Sequence, residues 1–193
     1  MPHSQETALR DPPSLQHLHR LVWSALLASL IAVGSYLHFP LGPVPISLQV
    51  CFVLLSGFVL GPGWGFAAVA MYVLAGLAGL PVFSGGSSGI GHILGPTGGY
   101  LLGFLAAPLI TGLWSRWLQK TRLPWGFGVL ACVAGYAPVY GLGLAWLRMS
   151  LDLTWGQTIG VGLLPFLPSD GLQILVAVSA ARYLHHQQLT PKP

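Results

Sequence analysis

Asp170 is the residue on which chemistry in this chain would turn. It lies between the apolar segment Pro165–Pro168 and the apolar run Leu172–Ala181. Placing an acid inside a membrane segment costs about 2.5–3.5 kcal/mol on insertion scales, so such a residue is a ligand-contact candidate by default. A helix-cap role competes with that reading. Asp170 with Gln173 fits a D-x-x-Q capping box, and Pro168 suits a first helical turn. No Lys or Arg is close in sequence, so a ligand with N–H donors would satisfy the carboxylate in a dry site.

Two further segments carry polar groups. The stretch from Phe83 to Tyr100 holds Ser84, Gly85, Gly86, Ser87, Ser88, Gly89, Gly91, His92 and Thr97. Its glycines permit close backbone approach, and its amides suit an anion such as a carboxylate. An ordinary outer loop is the alternative, and His92 alone reads more readily as a solvated loop histidine. Ser47 and Gln49 enter an apolar helix, as hydrogen-bonding groups toward the interior or as helix-packing glue. Catalytic patterns are missing: no paired carboxylates, no H-E-x-x-H, no G-x-S-x-G, no Cys–His pattern and no Walker motif. Cys51 and Cys132 lack metal-ligand or redox spacing and read as free buried thiols. Neither metal nor cofactor is expected, and an ATP-driven process would need a partner's ATPase.

The elements that must position these groups are membrane helices. Of 193 residues only 6% are charged, against about 25% in soluble domains, and 53% are hydrophobic. From Leu21 to Ser115, 95 residues pass without Asp, Glu, Lys or Arg. No soluble surface can be clothed that way, which excludes a cytosolic enzyme, a nucleic-acid binder and a disordered chain. Six spans are expected: Leu21–Leu37, Ile46–Leu60, Trp64–Leu80, Gly98–Trp114, Trp125–Leu147 and Pro168–His185. Gly61-Pro62-Gly63 is a tight turn by composition. Residues 1–20 and 186–193 would be tails around a membrane domain over 21–185. The first span also has the alternative of a signal peptide, but no small-residue cleavage site follows it.

Six spans put both termini on one side. That side carries Arg10, Arg20, Arg116, Lys120, Arg122, Arg182 and Lys192; the other carries Arg148 alone. The positive-inside rule then places both termini in the cytoplasm. The connections 38–45, 81–97 and 148–167 fall outside, rich in Gly, Pro and Ser.

Several ordered motifs resemble one family. They are Val44-Pro45-Ile46-Ser47-Leu48-Gln49 with Leu54-Leu55-Ser56-Gly57, Leu60-Gly61-Pro62, Gly79-Leu80-Pro81-Val82-Phe83, Leu94-Gly95-Pro96-Thr97-Gly98-Gly99-Tyr100-Leu101 and Pro165-Phe166-Leu167-Pro168-Ser169-Asp170. Over residues 20–185 the chain is similar to the BioY family, the biotin-specific S components of energy-coupling-factor (ECF) vitamin transporters. The resemblance implies an all-α protein of six transmembrane helices in the cell membrane, with an outer biotin pocket capped by the first loop. It also implies a transmembrane coupling subunit with two ATPases as partners, facing a small-xxx-small motif that Ala28 and Ala32 match. Homo-oligomers stay open. Biotin has a ureido ring, an apolar fused ring and a carboxylate tail. Asp170 would accept from the ureido N–H groups. Residues 84–92, with Ser84, Gly86 and His92, would hold the carboxylate. Tyr100 would line the apolar wall, and Gln173, Gln49 and Ser47 complete the candidate set.

The chain departs from the family pattern at two positions. Ser169 stands for a Gly, and Gln173 stands for a Lys three residues after the Asp. That change removes a cation from the expected pocket and leaves a biotin precursor or analogue open as ligand. Two other classes compete: a stand-alone transporter or channel, which lacks polar positions along its spans, and a small intramembrane enzyme using Asp170, which lacks a second catalytic group.

Overall fold

The computed structural model describes residues 13–39, 43–118 and 124–187. Among them the long elements are all helical: α1 (Pro13–Tyr36), α2 (Gln49–Leu77), α3 (Ile90–Leu94), α4 (Gly98–Leu118), α5 (Trp125–Leu151), α6 (Trp155–Gly162) and α7 (Leu167–His186). Strands β1 (His38–Phe39) and β2 (Ile46–Ser47) form a small antiparallel pair, with His38 opposite Ser47 and Phe39 opposite Ile46. Four helices are individually long and apolar enough to cross a membrane: α1, α2, α4 and α5. Helices α6 and α7 pass the same test only as a pair, bent by 49°.

Helix α2 is in fact a hairpin. Gly61 has φ 76° and ψ −179°, a conformation that side chains rarely tolerate. A Cβ added at Gly65 would lie 3.0 Å from the Cα of Gly57. Residues eight apart in a straight helix are separated by about 12 Å of rise, so the chain folds back at Gly61. The Pro that follows helps to end the first arm. Pro62 has no N–H, and the Phe58 carbonyl four residues earlier therefore loses its helical donor. Ser115 Oγ donates to that carbonyl at 3.0 Å, and a ring nitrogen of His185 reaches it at 3.2 Å.

These contacts order the bundle. The second arm of α2 meets α1 where Ser24 Oγ approaches the Trp64 carbonyl at 3.5 Å. Helix α4 packs between α2 and α5, and α7 closes against both α2 and α5. The start of α1, the Gly61 reversal, the end of α4, the start of α5 and the end of α7 share one end of the molecule. His17 lies against Trp64 there, and the Arg182 guanidinium lies 5.4 Å from the Trp125 ring centre. The interior is apolar, with Leu27, Ile31, Leu54, Phe58, Ala107, Ala131 and Val178 almost fully buried. Leu26, Val33, Leu74, Val133, Leu172 and Val176 point outward, as a hydrocarbon solvent allows. Buried serine and threonine hydroxyls are satisfied by backbone carbonyls: Thr111 Oγ1 donates to the Leu54 carbonyl at 3.2 Å and Ser56 Oγ to that of Val53 at 2.7 Å.

Several expected boundaries move. Helix α1 begins at Pro13, inside the segment expected as a tail, because His17, Arg20 and their neighbours extend an already apolar helix past its membrane length. The first 12 residues and the last six lie outside the described residues. The second span was expected from Ile46, but Ile46 and Ser47 pair with β1 and the helix starts at Gln49. The third was expected to run to Leu80. It ends at Leu77, where Ala78 N–H closes on the Leu74 carbonyl at 2.9 Å and Gly79 takes φ 100°. The connection expected over 148–167 is partly helical. Helix α5 continues to Leu151, and α6 is opened by a capping box between Thr154 and Gln157.

Candidate functional site

At the end opposite the Gly61 reversal the helices part around one cavity. Together with the open space at its mouth it amounts to about 590 Å³. Its wall draws on β2 and both arms of α2, on the 81–97 connection, and on α4, α5 and α7. Seven expected site residues line it: Ser47, Gln49, Ser84, His92, Tyr100, Asp170 and Gln173. Gly86 does not. Its N–H donates to Phe83 O at 3.0 Å, and a Cβ there would approach Tyr36 at 3.7 Å. Ala28 and Ala32 sit away from the cavity, half-buried on α1 against the core.

Asp170 is 7% exposed and lies in the first turn of α7. It is not the N-cap. Its own N–H donates to the Phe166 carbonyl at 2.8 Å, so Asp170 is already inside the helix. The capping-box reading fails for that reason. Asp170 Oδ2 instead accepts from the Tyr140 hydroxyl of α5. The positive end of the α7 dipole favours the carboxylate there.

Gln173, 2% exposed, reaches across rather than back. Its Oε1 accepts from Cys51 N–H at 2.9 Å, and its Nε2 donates to the Ser47 carbonyl at 3.1 Å. Cys51 is at the third position of α2, whose N-cap Leu48 offers no side-chain acceptor. Gln173 thus caps α2 from another helix. The Gln49 amide is engaged as well. It accepts from Ser47 Oγ at 3.0 Å and donates to the Tyr72 hydroxyl at 2.5 Å. Both glutamines hold the wall in place.

The 81–97 connection is anchored by Phe83, which is fully buried. Its ring packs edge-on against Tyr72 at 5.6 Å and stacks on His92 at 4.9 Å. Ser87 Oγ, which donates to Ser84 O, accepts from His92 Nδ1 at 2.8 Å; Thr97 Oγ1 faces Nε2 at 3.3 Å. That arrangement suits the neutral imidazole, and burial pushes the His92 pKa below its ordinary value. Gly76 makes room for the anchor, since a Cβ there would lie 2.1 Å from Phe83 Cζ. Gly76→Ala is expected to lose about 1–3 kcal/mol through this overlap. Thermal unfolding in detergent measures the loss, and faster proteolysis within 81–97 accompanies it.

The aromatic wall was only partly foreseen. Tyr100 turns its hydroxyl away, donating to the Gly162 carbonyl at 2.9 Å, and leaves its ring to the cavity. Tyr136 and Tyr140 stack at 5.8 Å, and Tyr140 meets Tyr100 edge-on at 6.3 Å. Sequence reasoning missed Tyr72, Tyr136 and Tyr140. The available signal was Tyr136-x-x-x-Tyr140, two phenols on one helix face within an otherwise apolar span.

The BioY family model matches residues 5–189. A biotin transporter BioY of Thermotoga maritima is 39% identical over 85% of this chain and 94% of its own length. A probable biotin transporter BioY of Pyrococcus horikoshii is 40% identical over 83% and 92%. Among solved structures, an S-component for biotin from an ECF-type ABC transporter superposes with a TM-score of 0.84. It is 28% identical and covers 94% of this chain and all of its own. FolT bound with folic acid, at 19% identity and a TM-score of 0.59, shares the fold.

Proposed function

The chain belongs to the BioY family, and from that premise we propose that it is the biotin-binding S component of an ECF-type transporter. It is a multi-pass membrane protein that serves biotin uptake and is not an enzyme. The observation that carries the site is the Asp170 carboxylate, held by Tyr140 in a cavity walled by tyrosines. Biotin has the chemistry to fill that space. Asp170 accepts from the ureido N–H groups, and the rings of Tyr100 and Phe104 flank the apolar bicycle. The carboxylate tail points toward the mouth, near Ser84, His92 and Thr97. Gln173, Gln49 and Ser47 hold the wall against which the ligand packs.

We further read six passes: α1, the two arms of α2, α4, α5 and α7. Both termini then lie in the cytoplasm of a plasma-membrane protein, because Arg20, Arg116 and Arg182 gather at one end and Arg148 at the other. The tails 1–20 and 186–193 flank the membrane domain 21–185. The cavity opens outward. The half-buried stripe of Ala28 and Ala32 meets a transmembrane coupling subunit that carries two ATPases, and this partner supplies the energy. Small side chains permit that close helix approach.

Titration of the full chain in lipid nanodiscs with nanomolar to micromolar biotin tests the site. Saturable binding is expected, and its absence would sink the reading. Uptake with and without a coupling module tests the partner, with a rise in rate expected when the module is present.

A further inference from the structure

Among the described residues, none of α1 lines the cavity. Its last turn nevertheless holds the 81–97 connection. Ser35, fully buried, places its Oγ 2.7 Å from the Val82 carbonyl, and the Tyr36 hydroxyl donates to the Pro81 carbonyl. These bonds complete the backbone of the segment. Val82 N–H donates to the Leu80 carbonyl at 2.8 Å, Gly86 N–H to that of Phe83 at 3.0 Å and Ser87 Oγ to that of Ser84 at 2.9 Å. Every carbonyl from Leu80 to Ser84 therefore has a donor, and α1 supplies those for Pro81 and Val82. The same turn meets the other side of the mouth, where Leu48 N–H reaches the Gly34 and Leu37 carbonyls at 3.3 Å.

The two bonds from α1 can open without stranding a donor. Ser35 Oγ is also 2.7 Å from the Ala32 carbonyl in its own helix. When Val82 leaves, the hydroxyl keeps that acceptor. Tyr36 is 53% exposed, so its hydroxyl can turn to solvent. Gly79 and Gly89 flank the segment with φ 100° and 81°, and a Cβ at either would meet nothing within 4 Å. Ser84, next to the tied residues, lines the cavity, and so does His92, which stacks on Phe83.

We propose that Ser35 and Tyr36 are positioning residues that latch the segment between Gly79 and Gly89 onto α1 and so set the rate at which ligand enters and leaves the cavity. The proposal rests on the biotin reading of the cavity. Neither residue touches the ligand; both act through Pro81 and Val82. A latch of this kind acts on entry and exit alike. It sets the balance between a closed and an open wall whether the cavity is empty or filled. Loosening it speeds both steps and leaves their ratio nearly fixed. A residue that merely shapes the wall behaves otherwise, because its loss lowers affinity without speeding entry.

Association and dissociation of radiolabelled biotin, measured on the full chain in nanodiscs, test this with Tyr36→Phe, Ser35→Ala and the double variant. One hydrogen bond is worth about a factor of five. Both rates are expected to rise about fivefold in each single variant and further in the double one, with Kd within about threefold of native. Backbone hydrogen exchange of the ligand-free chain is expected to quicken at Phe83, Gly86 and Gly89 and to hold in α4 and α5. Tyr36→Phe keeps an exposed ring and removes one oxygen, so it decides the matter alone if Ser35→Ala does not fold. Unchanged rates in Tyr36→Phe, with native biotin binding intact, overturn the proposal and leave the site reading standing. Weaker binding with association unchanged or slower assigns both residues to packing and overturns it too. Failure of the native chain to bind biotin defeats the site reading itself.

Discussion

Asp170→Asn is expected to weaken biotin binding about a hundredfold, near 3 kcal/mol, while leaving the helices assembled. The substitution keeps the shape and removes the charge. One amide oxygen of Asn still accepts from Tyr140, as Asp170 Oδ2 does. The amide NH₂ then takes the place of the second carboxylate oxygen and faces the ureido N–H, donor against donor. The variant loses a charge-assisted bond, commonly worth about 1.5–3 kcal/mol, and gains an unpaired donor in a dry site. Isothermal titration in nanodiscs reads the change. Ligand-free stability is expected to hold or rise, because a largely buried charge disappears. Affinity within a factor of two of the native chain would remove Asp170 from the ligand's contacts. Asp170→Ala is the harsher variant, since it also strands the Tyr140 hydroxyl.

Gln173→Ala has the second large effect, and stability shows it first. Its amide closes two backbone groups from the other side of the cavity: the Cys51 N–H at 2.9 Å and the Ser47 carbonyl at 3.1 Å. Deleting it leaves both unpaired and buried, at about 1–3 kcal/mol each. For a chain of this size, that corresponds to a fall of roughly 4–24 °C in unfolding temperature. Affinity falls with it, because Ser47 and Gln49 line the cavity on the segment that Gln173 ties to α7. Gln173→Lys makes the comparison sharper. Lys can donate to the Ser47 carbonyl and has no acceptor for the Cys51 N–H. It is expected to lose stability and affinity despite adding a cation near the ligand's carboxylate. A gain in biotin affinity from Gln173→Lys would show that the tie is dispensable.

The departure at position 173 takes a different meaning once the contacts are known. From sequence, Gln173 stands where a cation is expected and looks like a weakened ligand contact. In the fold its amide oxygen and nitrogen both join α7 to the start of α2. The same holds at His92, whose neutral ring is fixed by Ser87, Thr97 and Phe83. Gly86 shows the opposite error. A glycine in a Gly/Ser stretch promises a bare backbone for an anion, yet its N–H closes a tight turn on Phe83 O. Local spacing predicts which residues are unusual. It does not predict which of their hydrogen bonds are already made.

The sequence by itself determined that this is a membrane protein, where its charges lie, that the chain reverses at Gly61-Pro62, and that Asp170 is the exceptional acid. Each of these follows from local chemistry. A charge in hydrocarbon is costly wherever it faces, and a Gly-Pro-Gly run is turn chemistry by composition. Only the tertiary structure decided which face of each helix meets the cavity. In a soluble bundle the polar face would reveal the apolar one. Here lipid and core are equally apolar, so Leu54 and Leu74 look alike in sequence although one is buried and the other exposed. Tyr136 and Tyr140 went unseen for that reason, and so did the cross-chain partners of Gln173. Their roles depend on residues 30 to 126 positions away, brought together by packing that no local pattern encodes.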